Sequence, residues 1–333
     1  MRNLAVIILN YKGWQDSIDC LRSLREQTLS DFFVVMIDNG SGDDSYEKID
    51  SWLRIEKLFN YQLHDLDNDS PDILEEDKEL YFVKSKDNHG FAIGNNKGIE
   101  LAKFVGCKDV FLLNNDTVLE NDALEKLYTF KKDHPEFAAM TPQIRYFEPN
   151  DEIWNCGGFI YPFATRRYLY PRANISSVPQ EGFQKITLLT GCALYFDPDE
   201  CGYLSDKFFF GEEDFEFSLR MRKNKMKMAV VFDSVIYHKV GASRGESKKA
   251  IEGVYIHYLN RFIDLKSYYS YPIWFFYIIV NACYGTLMLY RSYNFKPNQS
   301  FRLFKKIISD AHKLDGVNKE LFQDVFFNKK LTY

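Results

Sequence analysis

Along the first third of the chain, continuous apolar runs alternate with stretches in which apolar residues return every three or four positions. Leu4 to Leu9 is uninterrupted, and so is Phe32 to Ile37; Ile18, Leu21 and Leu24, then Ile49, Leu53 and Leu58, succeed these runs at helical spacing. Runs this short and this apolar predict strands buried on both faces, and strands alternating with helices predict a βαβ unit in a parallel sheet. Leu80 to Val83 resumes the sheet, and Ile93 to Phe104 reads as a helix. Val110 to Leu113 is another buried strand, and Leu124 to Phe130 a helix that Asn121 or Asp122 is placed to cap. Between His64 and Glu79 the pattern dissolves into carboxylates, from Asp65 through Asp72 to Glu79, which reads as a solvated insertion that tolerates deletion.

After Pro142 the pattern changes. Residues 143 to 190 hold Pro149, Gly157, Gly158, Pro162, Pro171 and Pro179 among aromatic residues, which favours the hairpins and long loops that often carry substrate. A strand is expected over Leu188 to Phe196, a helix over Asp214 to Arg222, and one or two short strands over Met228 to His238. From Ser267 to Tyr290 no residue is charged, and Trp274 to Val280 is strongly apolar, although Asn281, Gly285 and Thr286 interrupt the apolar character beyond it. Lys266, Arg291, Lys296, Arg302, Lys305 and Lys306 flank the stretch, as cations flank segments that meet an anionic membrane. Three readings are open: a segment lying on or re-entering a membrane, a buried helical hairpin or homodimer contact, or a span at the lower edge of the required length. The expected organisation is an α/β domain over 1–265, with halves at 1–135 and 136–265, and a helical extension over 266–333.

Bulk properties narrow the class. The 333 residues are 46% hydrophobic with a mean hydropathy of -0.34, which describes a folded, mainly soluble chain. A net charge of -5 gives no general attraction for nucleic acid, so no nucleic-acid partner is expected. Six cysteines lie scattered without CxxC spacing and no signal segment precedes the first strand, so reduced thiols and a cytoplasmic location are expected. Aromatic content is high, with 22 Tyr and 29 Phe, and much of the excess lies after residue 255, which suggests an interface.

The candidate chemistry sits where strands end. The run Val110 to Leu113 stops on Asn114-Asn115-Asp116, and ligands of parallel sheets bind beyond the strands' carboxyl ends. A lone carboxylate there suits a hard divalent cation shared with phosphate oxygens, while an Asx turn uses the same residues. Asn10-Tyr11 and Asp38-Asn39-Gly40-Ser41 end the first two strands. They fit a pyrimidine base, Tyr11 stacking and Asp38 accepting the ring N–H, or else an ordinary tight turn. Asn88 to Asn96 opens a helix with Gly90 and Gly94, glycines that let backbone approach a ligand. Phe208 to Asp214 sets Glu212, Glu213 and Asp214 behind an apolar run, either as acidic capping or as a catalytic base whose proton affinity is raised by its surroundings. His238 stands at a strand end, as packing or as a ligand.

In this order and spacing, Asn114 to Thr117 (NNDT), Thr190 to Ala193, Gly211 to Arg220 (GEEDFEFSLR) and His238 to Ser243 resemble the family 2 glycosyltransferases of the GT-A fold. The likeness is strongest to the rhamnosyltransferase-like branch of bacterial surface polysaccharide synthesis, and it covers about residues 3 to 265. It implies a Rossmann-like mixed, mostly parallel sheet flanked by helices. It also implies an inverting, metal-dependent transfer from a nucleotide diphospho-sugar to a glycan or lipid-linked acceptor at the inner face of the cell membrane. Deoxythymidine diphosphate rhamnose is the first candidate donor, with uridine diphosphate hexoses or galactofuranose behind it. On this resemblance Asp116 and His238 hold Mg2+ or Mn2+, Asp214 is the base, and Glu213 with Thr190 and Gly191 meets the acceptor. Asn10, Tyr11, Asp38, Asn39, Asn88, Gly90, Asn95, Asn114, Asn115 and Asp116 line the donor. Three departures stand out: Asn114 and Asn115 leave a single carboxylate in the metal motif, Glu216 stands where relatives often carry aspartate, and the triplet Glu212 to Asp214 leaves the base open by one residue. A non-catalytic nucleotide-sugar-binding subunit is the alternative from another class. A nucleotidyltransferase ranks third, because Asn10-Tyr11-Lys12-Gly13 lacks a glycine-rich basic loop.

Overall fold

The structure is a computed structural model, and it describes residues 3–240, 250–293 and 295–328. The expected alternation is present: β1 (Leu4–Asn10), α1 (Trp14–Arg25), β2 (Phe32–Asn39), α2 (Ser45–Glu56), β3 (Tyr61–Asp65), β4 (Leu80–Ser85), α3 (Gly90–Phe104), β5 (Asp109–Asn114), β6 (Thr117–Leu119) and α4 (Ala123–Asp133). The second half adds β7 (Phe137–Tyr146), β8 (Ile153–Asn155), β9 (Gly158–Ile160), β10 (Arg166–Tyr168), β11 (Phe183–Ile186), β12 (Ala193–Phe196), α5 (Pro198–Cys201), α6 (Glu213–Lys223) and β13 (Lys227–His238). Four α-helices follow, α7 (Ala250–Tyr268), α8 (Tyr271–Tyr293), α9 (Pro297–Lys313) and α10 (Lys319–Gln323), and a π-helical turn over Asp324–Asn328 ends the described chain.

Among the described residues, eleven strands form one mixed sheet along the path β11-β13-β7-β12-β5-β1-β2-β4-β3, with β6 on β13 and β8 on β7. The strands from β5 to β3 along that path run parallel. The period of two along β1 divides its side chains between two cores: Leu4, Val6 and Ile8 face α1 and α2, while Ala5 and Ile7 face α3. Both faces are covered, which is why these strands read as unbroken apolar runs. A third core lies under the C-terminal helices, where Phe215 and Leu219 of α6 meet Leu259 and Phe262 of α7, Trp274 of α8 and Leu303 of α9.

Several expectations change. The acidic stretch is not wholly an insertion: His64 and Asp65 belong to β3, an edge strand paired with β4. Leu74 is buried, and the Tyr81 hydroxyl donates to the Glu75 carbonyl at 2.5 Å. Removing 64–79 would therefore take core packing with it. Only Ala193–Phe196 of the expected 188–196 strand forms β12, because the chain turns at Thr190–Cys192. Met228 to His238 is part of one long strand whose register slips between Val231 and Val235. Asp122 takes the N-cap position of α4 but its side chain makes no capping bond. The division expected at residue 265 falls inside α7.

Candidate active site

Parallel pairing decides which polar residues share the sheet's mouth. Asn10 is in register with Asp38, and Leu9 with Asn114, so the ends of β1, β2 and β5 lie side by side. Asn10 donates to Asp38 Oδ1 at 2.6 Å, and the Ser41 hydroxyl donates to the same oxygen at 2.5 Å. Burial raises the Asp38 carboxyl while these two bonds lower it, and the net direction is upward. Its Oδ2 receives only a long bond from the Ser41 N–H, at 3.4 Å. Tyr11 is half-exposed at the mouth, with Lys12 Nζ 5.2 Å from its ring centre.

Two of the expected donor residues act as struts. Asn39 is buried and donates to Asn88 Oδ1 at 3.2 Å and to the Gly90 carbonyl at 3.1 Å, binding the end of β2 to the start of α3. Asn95 is buried and donates to the Phe91 carbonyl. In this conformation neither has an open surface for a ligand. Gly90 has φ +79°, and a Cβ there would lie 2.1 Å from the Phe209 carbonyl oxygen, so this glycine serves a close backbone crossing. Asn88 lines a cavity of about 420 Å³ with Asp87, His89, Asp206, Phe209 and Asn318. Asn115 reaches back to α1, donating to the Gly13 carbonyl at 3.2 Å and to Ser17 Oγ at 2.9 Å.

Asp116 and His238 do meet. After the β5 end the chain turns into β6, which pairs antiparallel with the end of β13, setting His238 opposite Thr117. The Lys239 N–H donates to the Asp116 carbonyl at 2.9 Å, and His238 Nε2 lies 3.1 Å from Asp116 Oδ1. Asp116 Oδ1 is buried and has no hydrogen bond of good geometry, so the short approach brings together a carboxylate oxygen and an imidazole nitrogen, both able to ligate a cation, rather than a satisfied pair. Among the described residues no group of three or more His, Cys, Asp or Glu side chains is placed to hold a metal ion. A carboxylate oxygen and an imidazole nitrogen at this separation nonetheless fit an octahedral cation that takes its other ligands from phosphate and water. The Trp154 ring packs edge-on against His238 at 4.2 Å. Residues 241–243, the end of the His238 motif, lie outside the described residues.

One turn joins this region to the carboxylates of α6. The Asn114 N–H donates to the Cys192 carbonyl at 2.8 Å, and the Gly191 N–H donates to Asp214 Oδ2 at 3.4 Å. Thr190 is buried, and its hydroxyl accepts from the Cys192 N–H. Burial pushes Asp214 up, Arg166 pulls it down and Glu212 pushes it up again, for a net rise. Burial pushes Glu213 further, to about 8, against the bond its carboxylate accepts from the Gly211 N–H at 2.6 Å. Glu213 is thus largely protonated at neutral pH.

Glu212 behaves oppositely, in a role that its place in an acidic triplet does not announce. Burial alone would raise it, but Arg166 and Arg261, with His257, hold it well below the usual carboxylate range. Arg166 Nη2 donates to it at 2.9 Å and Arg261 Nε at 2.5 Å, with His257 Nδ1 at 3.1 Å. Both guanidinium groups also sit over the Phe215 ring, at 5.1 and 4.1 Å from its centre. Asn260 donates to the Phe210 and Gly211 carbonyls. His257, Asn260, Arg261 and Asp264 are a polar stripe at helical spacing in the middle of α7, and that stripe is the signal the sequence carries for it.

A sequence profile described as glycosyl transferase family 2 matches residues 5–196. The low-salt glycan biosynthesis hexosyltransferase Agl10 of Haloferax volcanii is 23% identical over 273 residues, covering 80% of this chain and 77% of its own. A crystal structure of GalNAc-T7 with UDP, GalNAc and Mn2+ aligns with a TM-score of 0.60 at 13% identity, covering 97% of this chain and 56% of that one. Residues 1–349 of S. aureus TarS align with a TM-score of 0.48 at 14% identity, over 79% of this chain and 65% of that one. The chain thus spans less than two thirds of the length of either solved chain.

Proposed function

The chain belongs to glycosyl transferase family 2, and from that premise we propose that it moves a sugar, with inversion, from a nucleotide diphospho-sugar to a glycan or lipid-linked acceptor in cell-surface polysaccharide synthesis. The observation that carries the reading is the Thr190–Cys192 turn, whose backbone bonds Asn114 on one side and Asp214 on the other. It holds a carboxylate of raised proton affinity beside the strand end that bears Asp116.

In this reading Asp214 takes the proton of the acceptor hydroxyl as that oxygen attacks the anomeric carbon and the bond to the nucleotide diphosphate breaks. Glu213, protonated, offers a hydrogen bond to the acceptor and leaves the basic role to its neighbour. Tyr11 forms the nucleotide end of the donor site, with Asn10 as the buried strut that holds Asp38 beside it, and Asn88, Asn114 and Asn115 toward the sugar. A divalent cation held by Asp116 and His238 would offset the charge developing on the leaving diphosphate. Mg2+ and Mn2+ both suit that donor set, and Mn2+ is what the GalNAc-T7 structure contains.

Deoxythymidine diphosphate rhamnose is the first donor to test. Uridine diphosphate hexoses and galactofuranose come second; the relative's name carries a hexosyl group and the GalNAc-T7 structure holds UDP. Thermal-shift and donor-hydrolysis assays against a panel of nucleotide sugars, each with and without Mg2+ or Mn2+, test the reading. It expects one donor to stabilise the protein in a metal-dependent way and to release nucleotide diphosphate. Stabilisation without turnover would favour a non-catalytic binding subunit, and no response to any donor would overturn both.

A further inference from the structure

We propose that the exposed face of α8 lies flat on an anionic lipid surface, with the cations near the α8–α9 turn at the headgroups. α8 buries one stripe, Trp274, Ile278, Gly285 and Leu289, at helical spacing. Trp274 Nε1 donates to the Phe262 carbonyl of α7 at 2.8 Å, and a Cβ at Gly285 would lie 2.3 Å from the Phe304 ring of α9. The rest of the helix looks outward: Phe275, Ile279, Tyr284, Leu287, Met288 and Tyr290 are each between 44% and 60% exposed. A contiguous apolar face of this kind on a soluble fold marks a partner.

Charge identifies that partner. The chain carries a net charge of -5, yet Arg291, Lys296, Arg302 and Lys305 are exposed around the C-terminal end of α8. Among the described residues none of the four is in an ion pair. The Gly285–Phe304 contact fixes an antiparallel register that sets exposed Phe301, Arg302 and Lys305 beside the last turns of α8. Apolar side chains, tyrosines with one wet end and a ring of cations are what the headgroup level of an anionic membrane selects, whereas lysine is depleted in protein interfaces.

The same packing excludes a span, although α8 is long and apolar enough for one. α7 and α9 lie along it and carry Arg261, Asp264, Lys266, Lys306 and Asp310, which a spanning α8 would draw into hydrocarbon. A docked α8 deepens the proposed function, whose lipid-linked acceptor it rests on, but its geometry stands apart from any donor.

Flotation of the full chain with vesicles of phosphatidylcholine, alone or mixed with phosphatidylglycerol, provides the test. Binding is expected to be about tenfold or more tighter on the anionic vesicles, and carbonate should release it. Arg302→Glu with Lys305→Glu should remove the anionic preference, and Phe275→Ser with Leu287→Ser should remove binding to both vesicle types. These positions are exposed, so unchanged melting temperatures certify the variants. Absence of binding, retention after carbonate, or a dimer that dissociates on Phe275→Ser without vesicle binding would each overturn the proposal. Donor hydrolysis measured without lipid should be unchanged in all four substitutions, so failure of that activity bears on the enzyme reading alone.

Discussion

Glu213 and Asp214 occupy adjacent positions in the first turn of α6, yet they meet different surroundings. Asp214 has Arg166 nearby and the Gly191 N–H on its carboxylate; Glu213 has mainly burial, which lifts it to about 8. Asp214→Asn should lower kcat by about 10³-fold with donor affinity nearly unchanged, the scale of a lost general base. Retained turnover would shift the base to Glu213. Glu213 gives a stability test as well. Its folded pKa lies above the unfolded value of about 4.3, so folding takes up a proton between the two and stability falls as pH rises through that window. Glu213→Gln should therefore lessen the fall of the melting temperature between pH 5 and about 8, and a variant as pH-sensitive as the wild type would contradict the raised carboxyl. The residue types at 213, 214 and 116 were legible as chemistry from the sequence. The motif also gave Asp214 as the base, open by one residue; the opposite shifts of Glu212 and Glu213 were not legible, because proton affinity depends on burial and on Arg166 and Arg261, which come from distant segments.

At the scale of elements, α7 holds α6, the helix of the proposed base, in place. Glu212 sits at φ 73°, a conformation that costs a non-glycine residue energy, and Arg166, Arg261 and His257 bind its carboxylate there. Arg261→Met leaves a buried carboxylate short of a partner and should destabilise the protein by about 3 kcal/mol. If Arg261 also positions the following turn, kcat for donor hydrolysis should fall more than KM changes, and Arg261→Lys should restore part of it. Equal kcat in Arg261→Met would leave the residue a purely structural part. The early strands and helices were readable because each carries an unbroken apolar run or a helical stripe. β3 and the short β6 were not, since an edge strand and a three-residue strand carry too little pattern to stand out from a polar loop.

For the whole molecule, the proposed metal-binding pair depends on sheet assembly. β6 must pair with β13 before Asp116 and His238 converge. Chelation by EDTA is expected to abolish turnover and added Mg2+ or Mn2+ to restore it, while His238→Gln should raise the Mn2+ concentration needed for half-activity by about tenfold or more. Full activity in EDTA would remove the metal from the reading. The sequence by itself determined the βαβ alternation and the strand ends that carry Asn10, Asp38 and Asp116, because period and burial are written locally. It also exposed the apolar, cation-flanked stretch after residue 266. Only the tertiary structure decided that Asn39 and Asn95 are struts, that Thr190–Cys192 links Asn114 to Asp214, that Arg166 and Arg261 share Glu212, and that one face of α8 is already spent on α7 and α9. Each of these is a contact between segments remote in the chain, set by strand pairing and helix packing, and no local pattern encodes them.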